Sequence, residues 1–598
     1  MSNRLTNIIA ALLLIFVFVV AVFSMRGDSV TMDEVAHLPA GYSYLTQKDM
    51  RLNPEHPPLL KDLAAFPLLF IKGINFPSEI KDWREDVNSQ WGFGFHFLYG
   101  TGNPVDKMIF WARIPMILIL LLLGLYIFKW ARELFGNLAA LLALFFFSFS
   151  PAFLAHGRLV TTDVGAATGI FIATYYFIKA LRDSSGKNII LAGIAFGLAE
   201  LCKFSAILLI PFFIFLAFIW WLCGNSGIIR SGKLLPTLKV LVLVFVIGYL
   251  LLWPVYLYHT WNYPQDRQIR DIQFLLSSFQ YPAVSKVVVQ MANISILRPY
   301  AQYALGLVMV FQRATGGNTT YFLGEVSAAG WRNYFPVVYA IKEPLAFHVL
   351  TIIALLYVAW LIKKPFWRNI FGRIIGWIKS HFPEFAMLIF IGIYWVTSIS
   401  SDLNIGVRHL LPFFPFAMIL VAAMISQILK PPFLKIKYII LGLLLFWQAF
   451  SVVKIYPHFL AYFNETAGGP DKGYIYTVDS NLDWGQDLKR LNKWVEENNI
   501  DKIYVEYFGG GDTKYYLKEK FAPWRGTLPE KNFPKGNYLA VSATFLQGGR
   551  GLPVPGFNQS WGYYLWLDKY RPVTKIGYSI FVYYIPSDGE EYPQRDID

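Results

Sequence analysis

Cysteine and charge are what this chain has least of. Cys202 and Cys223 are the only cysteines in 598 residues, and neither has a companion at metal-ligand spacing, so a cysteine-based zinc site has no support. The apolar runs assigned below put the two near opposite membrane faces, which argues against a disulfide between them. Charged residues make up 15% of the chain, against roughly a quarter in ordinary soluble proteins; a soluble enzyme is not what this composition describes. Acids are scarcer than bases, 39 against 53, for a net charge of +14. The bases fall between hydrophobic runs rather than in one patch, which points to membrane topology and away from nucleic acid. Internal repeats and low-complexity tracts are also missing.

What is abundant is apolar sequence, 55% of all residues. Runs of spanning length occur near 7–25, 109–128, 137–155, 164–181, 189–202, 204–222, 238–257, 345–362, 385–400, 410–428 and 438–455, eleven in all, with the short pair at 189–222 open to a re-entrant reading. The first run has Arg4 as its whole basic flank and no A-x-A site after it, so it reads as a retained span rather than a cleaved signal. With the N-terminus inside, the inner segments hold Arg4, Lys129, Arg132, Arg182, Lys187, Arg230, Lys233, Lys363, Lys364, Arg368, Arg373, Lys379, Lys430, Lys435 and Lys437. The short outer turns hold only Arg158, Lys203 and Arg408, which gives an N-in, C-out arrangement.

The expected fold is therefore a polytopic α-helical membrane module at 1–455, with outer loops 26–108 and 258–344, followed by an extracytoplasmic α/β domain at 456–598. In that domain 474–478, 502–508, 538–543 and 575–585 read as strands, and 483–497 and 561–569 as helices. The stretch 57–70 is too short to span and reads as an amphipathic helix in the interface; 370–381 reads likewise on the inner face.

The chemistry-bearing residues cluster in the outer turns. Met32-Asp-Glu-Val-Ala-His37 places Asp33, Glu34 and His37 just past the first run. A carboxylate there, partly shielded from water, suits a general base, yet Asp33 can equally cap a helix with Glu34 in its first turn. In Asn53-Pro-Glu-His-Pro-Pro58 the prolines make a rigid turn that can aim Glu55 and His56. His156-Gly-Arg-Leu-Val-Thr-Thr-Asp163 sets Arg158 and Asp163 at the same membrane level as Asp33. Lys203 and Arg408-His409 lie in short outer turns where a phosphate headgroup would need cations, with snorkelling to lipid phosphate the plainer account of Lys203.

These segments carry a resemblance. Met32–His37 followed by Gly41-Tyr-Ser-Tyr44 and Glu55-His-Pro-Pro-Leu-Leu-Lys61 resembles the first outer loop of protein O-mannosyltransferases, glycosyltransferase family 39, which have the membrane GT-C fold. Arg158 to Asp163 resembles the family's second acidic turn, and Arg408 to Pro415 a later basic-then-proline segment. Phe322 to Trp331, which contains Glu325, and Val478 to Asp487 resemble bacterial phospholipid carrier-dependent glycosyltransferases.

The resemblance implies transfer of a hexose or pentose from a polyprenyl-phosphate carrier to an acceptor hydroxyl, with inversion, at the outer face of what would be a bacterial inner membrane. Asp33 matches the family's catalytic base, Glu34 is its partner, and Asp163 matches a second acid that orients the acceptor. His56, Arg158, Lys203, Arg408 and His409 fall on the donor side; His37, Glu55 and Glu325 fall with the acceptor or with positioning. No residue spacing demands a metal, although a divalent ion beside paired acids is compatible with it. The 258–344 loop is too short for the β-trefoil of eukaryotic members, so the acceptor can be protein, glycolipid or glycan. Asp479, Asp483 and Asp487 can touch such a glycan, although a strand end and a first helical turn explain them as well. The glycines of Gly509-Gly-Gly-Asp512 mark a turn more than a phosphate site. The rival class is a secondary transporter or lipid flippase carrying an outer soluble domain; mid-span charges and pseudo-symmetric halves would favour it, and the sequence has neither.

Overall fold

The computed structural model describes residues 2–223, 234–362, 369–430 and 435–588; Arg230, Lys233, Lys363, Lys364 and Arg368 of the inner-side count lie outside them. Among the described residues, eight helices are long and apolar enough to cross a membrane: Asn3–Gly27, Val105–Phe135, Asp163–Arg182, Phe204–Cys223, Leu234–His259, Phe382–Ile399, Val407–Leu429 and Ile436–Lys454. A ninth arises if Tyr334–Lys342 and Leu345–Leu361, bent by 110° at their junction, count as one. Of the eleven expected runs, two give shorter helices. The run at 137–155 breaks at Phe149-Ser150: helix Asn137–Ser148 stops, and Pro151 opens a six-residue helix, Pro151–His156. Proline is suited to a first helical position because its missing N–H would be unpaired there anyway. The run at 189–202 becomes Gly186–Cys202, 17 residues long.

Lipid exposure is written on the faces of these helices. On the first, Leu5, Leu12, Ile15 and Phe23 are exposed, whereas Ala10, Val17 and Ala21 are buried against neighbouring helices. Leu235 and Leu250, and Leu443 and Phe446, are likewise exposed on two other spans. So many large apolar side chains facing outward fit a hydrocarbon solvent, and the chain is a multi-pass membrane protein.

The segments expected outside the membrane fold onto one end of this bundle. Met32–Gln47 is a helix; Leu59–Ala65 and the 3-10 turn Phe66–Phe70 follow it. In the latter pair Leu60, Ala64 and Leu68 are buried while Phe66, Leu69 and Phe70 are exposed, the expected amphipathic element. Gln265–Leu275, Pro282–Asn293 and Arg298–Gly316 form three helices of the second outer segment.

The C-terminal part holds a five-stranded sheet in the order Phe521–Pro523, Ile503–Glu506, Asn537–Ser542, Ile580–Ile585, Thr574–Ile576, with the first three parallel and the rest antiparallel. Four local expectations change. The strand expected at 474–478 reduces to the 3-10 turn Gly473–Ile475 followed by a single bridge residue, Thr477, paired with Phe322. The helix expected from Asp483 starts at Leu488, because Gly485, at φ +89°, bends the chain first. The segment 561–569 contributes only the 3-10 turn Leu565–Lys569. The single strand at 575–585 splits into two about a turn where Gly577 and Tyr578 both have positive φ. A second, three-stranded sheet pairs Thr320–Phe322 with Glu325–Ser327, and the latter with Leu552–Pro553. The outer loop and the C-terminal part are thus stitched into one sheet.

Candidate active site

The two adjacent acids of the first loop point in opposite directions. Glu34 closes the N-terminus of its own helix by accepting from the Thr31 N–H at 2.9 Å. It also accepts from Arg113 Nε and Nη2, at 2.8 and 2.7 Å, and from the Val160 N–H at 3.0 Å. Both partners of that ion pair are buried. Glu34 therefore ties the first-loop helix to the Val105–Phe135 span and to the 158–162 turn, and its oxygens are spent before any substrate arrives. Glu34, expected as the catalytic partner of Asp33, is engaged as a fastening, because the helix start, Arg113 and the Val160 N–H take both of its oxygens.

Asp33 faces the other way. Its Oδ2 accepts from Arg408 Nη1 at 2.7 Å, and the same nitrogen lies 3.3 Å from Asp163 Oδ2. Lys203 Nζ donates to Asp163 Oδ1 at 2.5 Å. The carboxylates of residues 33 and 163, 130 positions apart in sequence, converge on one guanidinium. Arg408 is held from behind by the C-terminal part: its Nε donates to Ser480 Oγ at 3.1 Å, and the guanidinium lies 4.2 Å from the Trp484 ring centroid, a cation–π contact.

Two cavities meet at this pair, and Asp33, Trp91, Arg313, Ile405 and Arg408 line both. The smaller, about 140 Å³, is lined by His37, Glu55, His56, Lys203 and His409 among others. The larger, about 360 Å³, opens beneath the C-terminal part and is lined by Asp479, Trp484, Phe508, Phe545 and Tyr563 among others. Asp163 itself is buried, 1% exposed, and acts through Lys203 and Arg408.

Burial would raise the Asp33 carboxyl, but Arg408 outweighs it and holds the group below the ordinary aspartate range, so it is ionised at neutral pH. Burial pushes His37 and, further, His56 down; both are neutral near pH 7, their rings 4.9 Å apart edge to face. Asp479 is pushed up to about 6 by burial. The turn that carries Glu55 and His56 is fixed by Lys61, a buried lysine donating to Tyr44 Oη at 2.8 Å, to the Asn53 carbonyl at 2.9 Å and to the His56 carbonyl at 2.7 Å. Burial brings its ammonium down to about 7. Glu55 accepts from the Gln90 amide and, at 3.2 Å, from Asn88 Nδ2.

Two expected site residues stand apart. Arg158 is buried against Asp28 at 2.6 Å, lining neither cavity; Asp28 also pairs with Arg490 at 2.8 Å, so Arg158 belongs to the seam with the C-terminal part rather than to the donor side. Glu325 is exposed at the end of its hairpin, accepting from Trp331 Nε1 at 3.3 Å. Among the described residues no three His, Cys, Asp or Glu side chains group to hold a metal ion.

Residues that sequence reading missed include Arg313 and Trp91. Arg313 lines both cavities and makes no hydrogen bond or ion pair with another described residue, leaving a cation uncompensated at their junction. It sits in the last turns of the helix Arg298–Gly316, with no local motif to flag it. Trp484 was in view within Val478–Asp487, but nothing local tells that its ring lies under Arg408. The glycine loop has a steric reason. A Cβ on Gly510 would stand 2.3 Å from the Thr31 carbonyl, so the loop packs on the end of the Asp33 helix where no side chain fits.

Residues 104–253, about a quarter of the chain, match the family model described as dolichyl-phosphate-mannose-protein mannosyltransferase. No curated protein matches significantly. Among solved structures, the Archaeoglobus fulgidus oligosaccharyltransferase in the apo form is 15% identical at a TM-score of 0.47, covering 86% of this chain and 60% of that one. The chain therefore spans about three fifths of that relative's length. The S. cerevisiae protein O-mannosyltransferase Pmt1-Pmt2 complex bound to the sugar donor is 18% identical (TM-score 0.34, 44% of this chain and 34% of that one). ArnT from Cupriavidus metallidurans bound to undecaprenyl phosphate is 12% identical (TM-score 0.30, 98% and 97%). The match over 104–253, beside the loop motifs, identifies the chain as a membrane protein similar to the GT-C glycosyltransferases of the protein mannosyltransferase kind.

Proposed function

We propose that the protein transfers a sugar from a polyprenyl-phosphate carrier to an acceptor hydroxyl at the extracytoplasmic lip of the membrane, with the chain N-in and C-out. The observation that carries this reading is the position of Asp33, an ionised carboxylate at the junction of a cation-lined cavity and a larger aromatic one. In the smaller cavity Lys203, Arg408 and Arg313 meet the carrier's phosphate, with neutral His37 and His56 and the His409 ring as hydrogen-bonding neighbours. In the larger one the acceptor hydroxyl approaches Asp33. The carboxylate takes its proton as the oxygen attacks the anomeric carbon, and the C–O bond to the carrier breaks on the opposite face. Polyprenyl phosphate leaves, and the anomeric configuration inverts.

The energetics are of the right size. One well-aimed donor to a developing oxyanion is worth about 3 kcal/mol. Holding the two substrates in register supplies about 7 kcal/mol or more. Asp33 adds a base already ionised at working pH, and Asp163 keeps Lys203 and Arg408 in place.

The test is turnover by the full chain in nanodiscs, offered undecaprenyl-phosphate-linked mannose, aminoarabinose, another hexose and a pentose in turn, with released undecaprenyl phosphate as the readout. Release with at least one donor, and a product of inverted configuration, is expected. No release with any donor, together with uptake of a labelled carrier lipid into sealed vesicles, would replace this reading with the transporter one.

A further inference from the structure

The larger cavity has walls whose chemistry is unlike that of the smaller. Its cations are Arg408 and Arg313 at the junction; beyond them the walls are aromatic rings and uncharged polar groups, with Asp479 between. Phe508 and Phe545 stand edge to face at 5.9 Å between centroids, and Trp91, Phe557 and Tyr563 complete the enclosure. Asn318, Thr319, Gln559 and Ser560 present amide and hydroxyl groups. At about 360 Å³ it falls within the range of roughly 300–1,000 Å³ seen for small-molecule sites.

Asp479 is built into this wall under strain. Its φ is +54°, in the left-handed region that costs a non-glycine residue about 1 kcal/mol or more. The conformation is held by its own N–H donating to Thr544 Oγ1 at 3.1 Å and its carbonyl accepting from the Asp483 N–H at 2.8 Å. One carboxylate oxygen, Oδ1, takes the Ser480 N–H. The residue lines the cavity.

We propose that this cavity seats the terminal sugar rings of a carbohydrate acceptor, stacked on the aromatic walls, with Asp479 Oδ2 accepting a hydroxyl beside the one that reacts at Asp33. The inference rests on the glycosyl transfer proposed above and names its acceptor class. A sugar ring offers apolar C–H faces to aromatic rings and hydroxyl donors around its rim, which is the mixture these walls complement. A peptide acceptor would be read chiefly through its backbone at an open strand edge. The strand that borders the cavity, Thr320–Phe322, pairs with Glu325–Ser327 on one side, and on the other Phe322 bridges to Thr477, which shortens the edge left open to a peptide. Asp479 is an acceptor-binding residue, and the base remains Asp33.

The experiment uses the full chain in nanodiscs and two readouts. Saturation-transfer NMR measures binding of trisaccharides of mannose, glucose, galactose and N-acetylglucosamine, and of a capped Ala-Thr-Ala peptide. Release of undecaprenyl phosphate from the preferred donor measures transfer to the same probes. Binding of at least one trisaccharide and no binding of the peptide is expected. Phe545→Ala and Asp479→Asn should each raise the acceptor KM about tenfold or more while leaving the donor KM within twofold, and Phe545→Trp should bring the acceptor KM most of the way back. Because Phe545 is half-buried, the Trp variant separates a lost stacking face from a damaged fold. Binding and transfer with the peptide and with no trisaccharide would overturn the inference and leave the transfer reaction standing. Trisaccharide binding with no donor consumed would do the reverse. Unchanged acceptor KM in both Phe545→Ala and Asp479→Asn would also overturn it.

Discussion

Replacing Asp33 with Asn separates the base from the phosphate clamp, because the two share one hydrogen-bonded pair. The Asn side chain keeps the shape but cannot take a proton at neutral pH. Loss of a positioned general base costs about 10²- to 10⁴-fold in rate, so kcat should fall about a thousandfold, or about 4 kcal/mol in barrier. Donor binding should move the other way. In the parent, Arg408 Nη1 divides itself between Asp33 at 2.7 Å and Asp163 at 3.3 Å. Without the Asp33 charge, Asp163 still compensates the guanidinium, and the freed N–H can turn to a phosphate oxygen. A hydrogen bond to a charged group is worth about 1.5–3 kcal/mol, part of which returns as affinity. Undecaprenyl phosphate alone, titrated into the Asp33→Asn protein in nanodiscs, should therefore bind as tightly as to the parent or several-fold tighter. Turnover is followed by release of undecaprenyl phosphate under saturating donor. A kcat within tenfold of the parent would remove Asp33 from the role of base. Loss of turnover in proportion to loss of donor affinity would make Asp33 a fold or binding residue instead.

Arg408→Lys keeps a charge but loses the fork that spans Asp33, Asp163 and Ser480, and should weaken undecaprenyl phosphate binding by about tenfold; Arg408→Ala, which leaves the Asp33 and Asp163 carboxylates facing one another without their shared cation, should also lower the melting temperature sharply. Glu34→Gln strands Arg113 as an uncompensated buried cation, a change of about 3–5 kcal/mol in stability, to be read by thermal unfolding, while turnover per folded molecule should stay within tenfold of the parent. The pH dependence of stability should carry the mark of Asp483, whose carboxyl is pushed up to about 8 by burial from about 4 in an unfolded chain. The folded state holds that proton more tightly, so the contribution is whole below about pH 4 and is lost as pH rises through about 8. The parent's melting temperature should fall more steeply between about pH 5 and 8 than that of Asp483→Asn, and parallel curves would show that Asp483 is not the titrating group.

The membrane character of the chain and most of its spanning helices were legible because lipid imposes one requirement, a run of apolar residues long enough to cross, and Asn3–Ser24 or Leu234–His259 meet it in plain sight. The site was legible in its acids and bases: Asp33, His56, Lys203 and Arg408 all line the cavities. What stayed hidden is direction. Asp33 and Glu34 are adjacent and of equal charge, and only helix geometry, about 100° of rotation per residue, sends one to the cavity and the other to Arg113. Arg158 read as a donor residue because its turn is short and outer, whereas its true partner, Asp28, lies 130 residues away. Arg313 and Trp91 have no neighbours in sequence that mark them. The broken run at 137–155 and the late start of the Leu488 helix were both decided by local punctuation, a proline in one and a left-handed glycine in the other, that average hydropathy does not weigh.

The C-terminal part forms one wall of the larger cavity. Its 478–487 segment supplies Ser480 and Trp484 to Arg408, and Asp479 to the larger cavity. The same segment pairs by backbone with the start of the Asp33 helix: the Ser29 N–H donates to the Gln486 carbonyl at 2.9 Å, and the Met32 N–H to the Trp484 carbonyl at 3.1 Å. Behind these contacts Asp28 joins Arg158 and Arg490, and Arg490 joins Asp487 at 2.5 Å. All four groups are largely withdrawn from solvent, where a charge left without its partner is expensive. The seam therefore favours one docked position over a range of loosely apposed ones. The helix that carries Asp33 begins at this seam, so the docked position of the C-terminal part and the placement of the Asp33 carboxylate are set together. Gly510, where a Cβ would stand 2.3 Å from the Thr31 carbonyl, lets the loop lie directly on that helix start and brings the two close enough for it to occur.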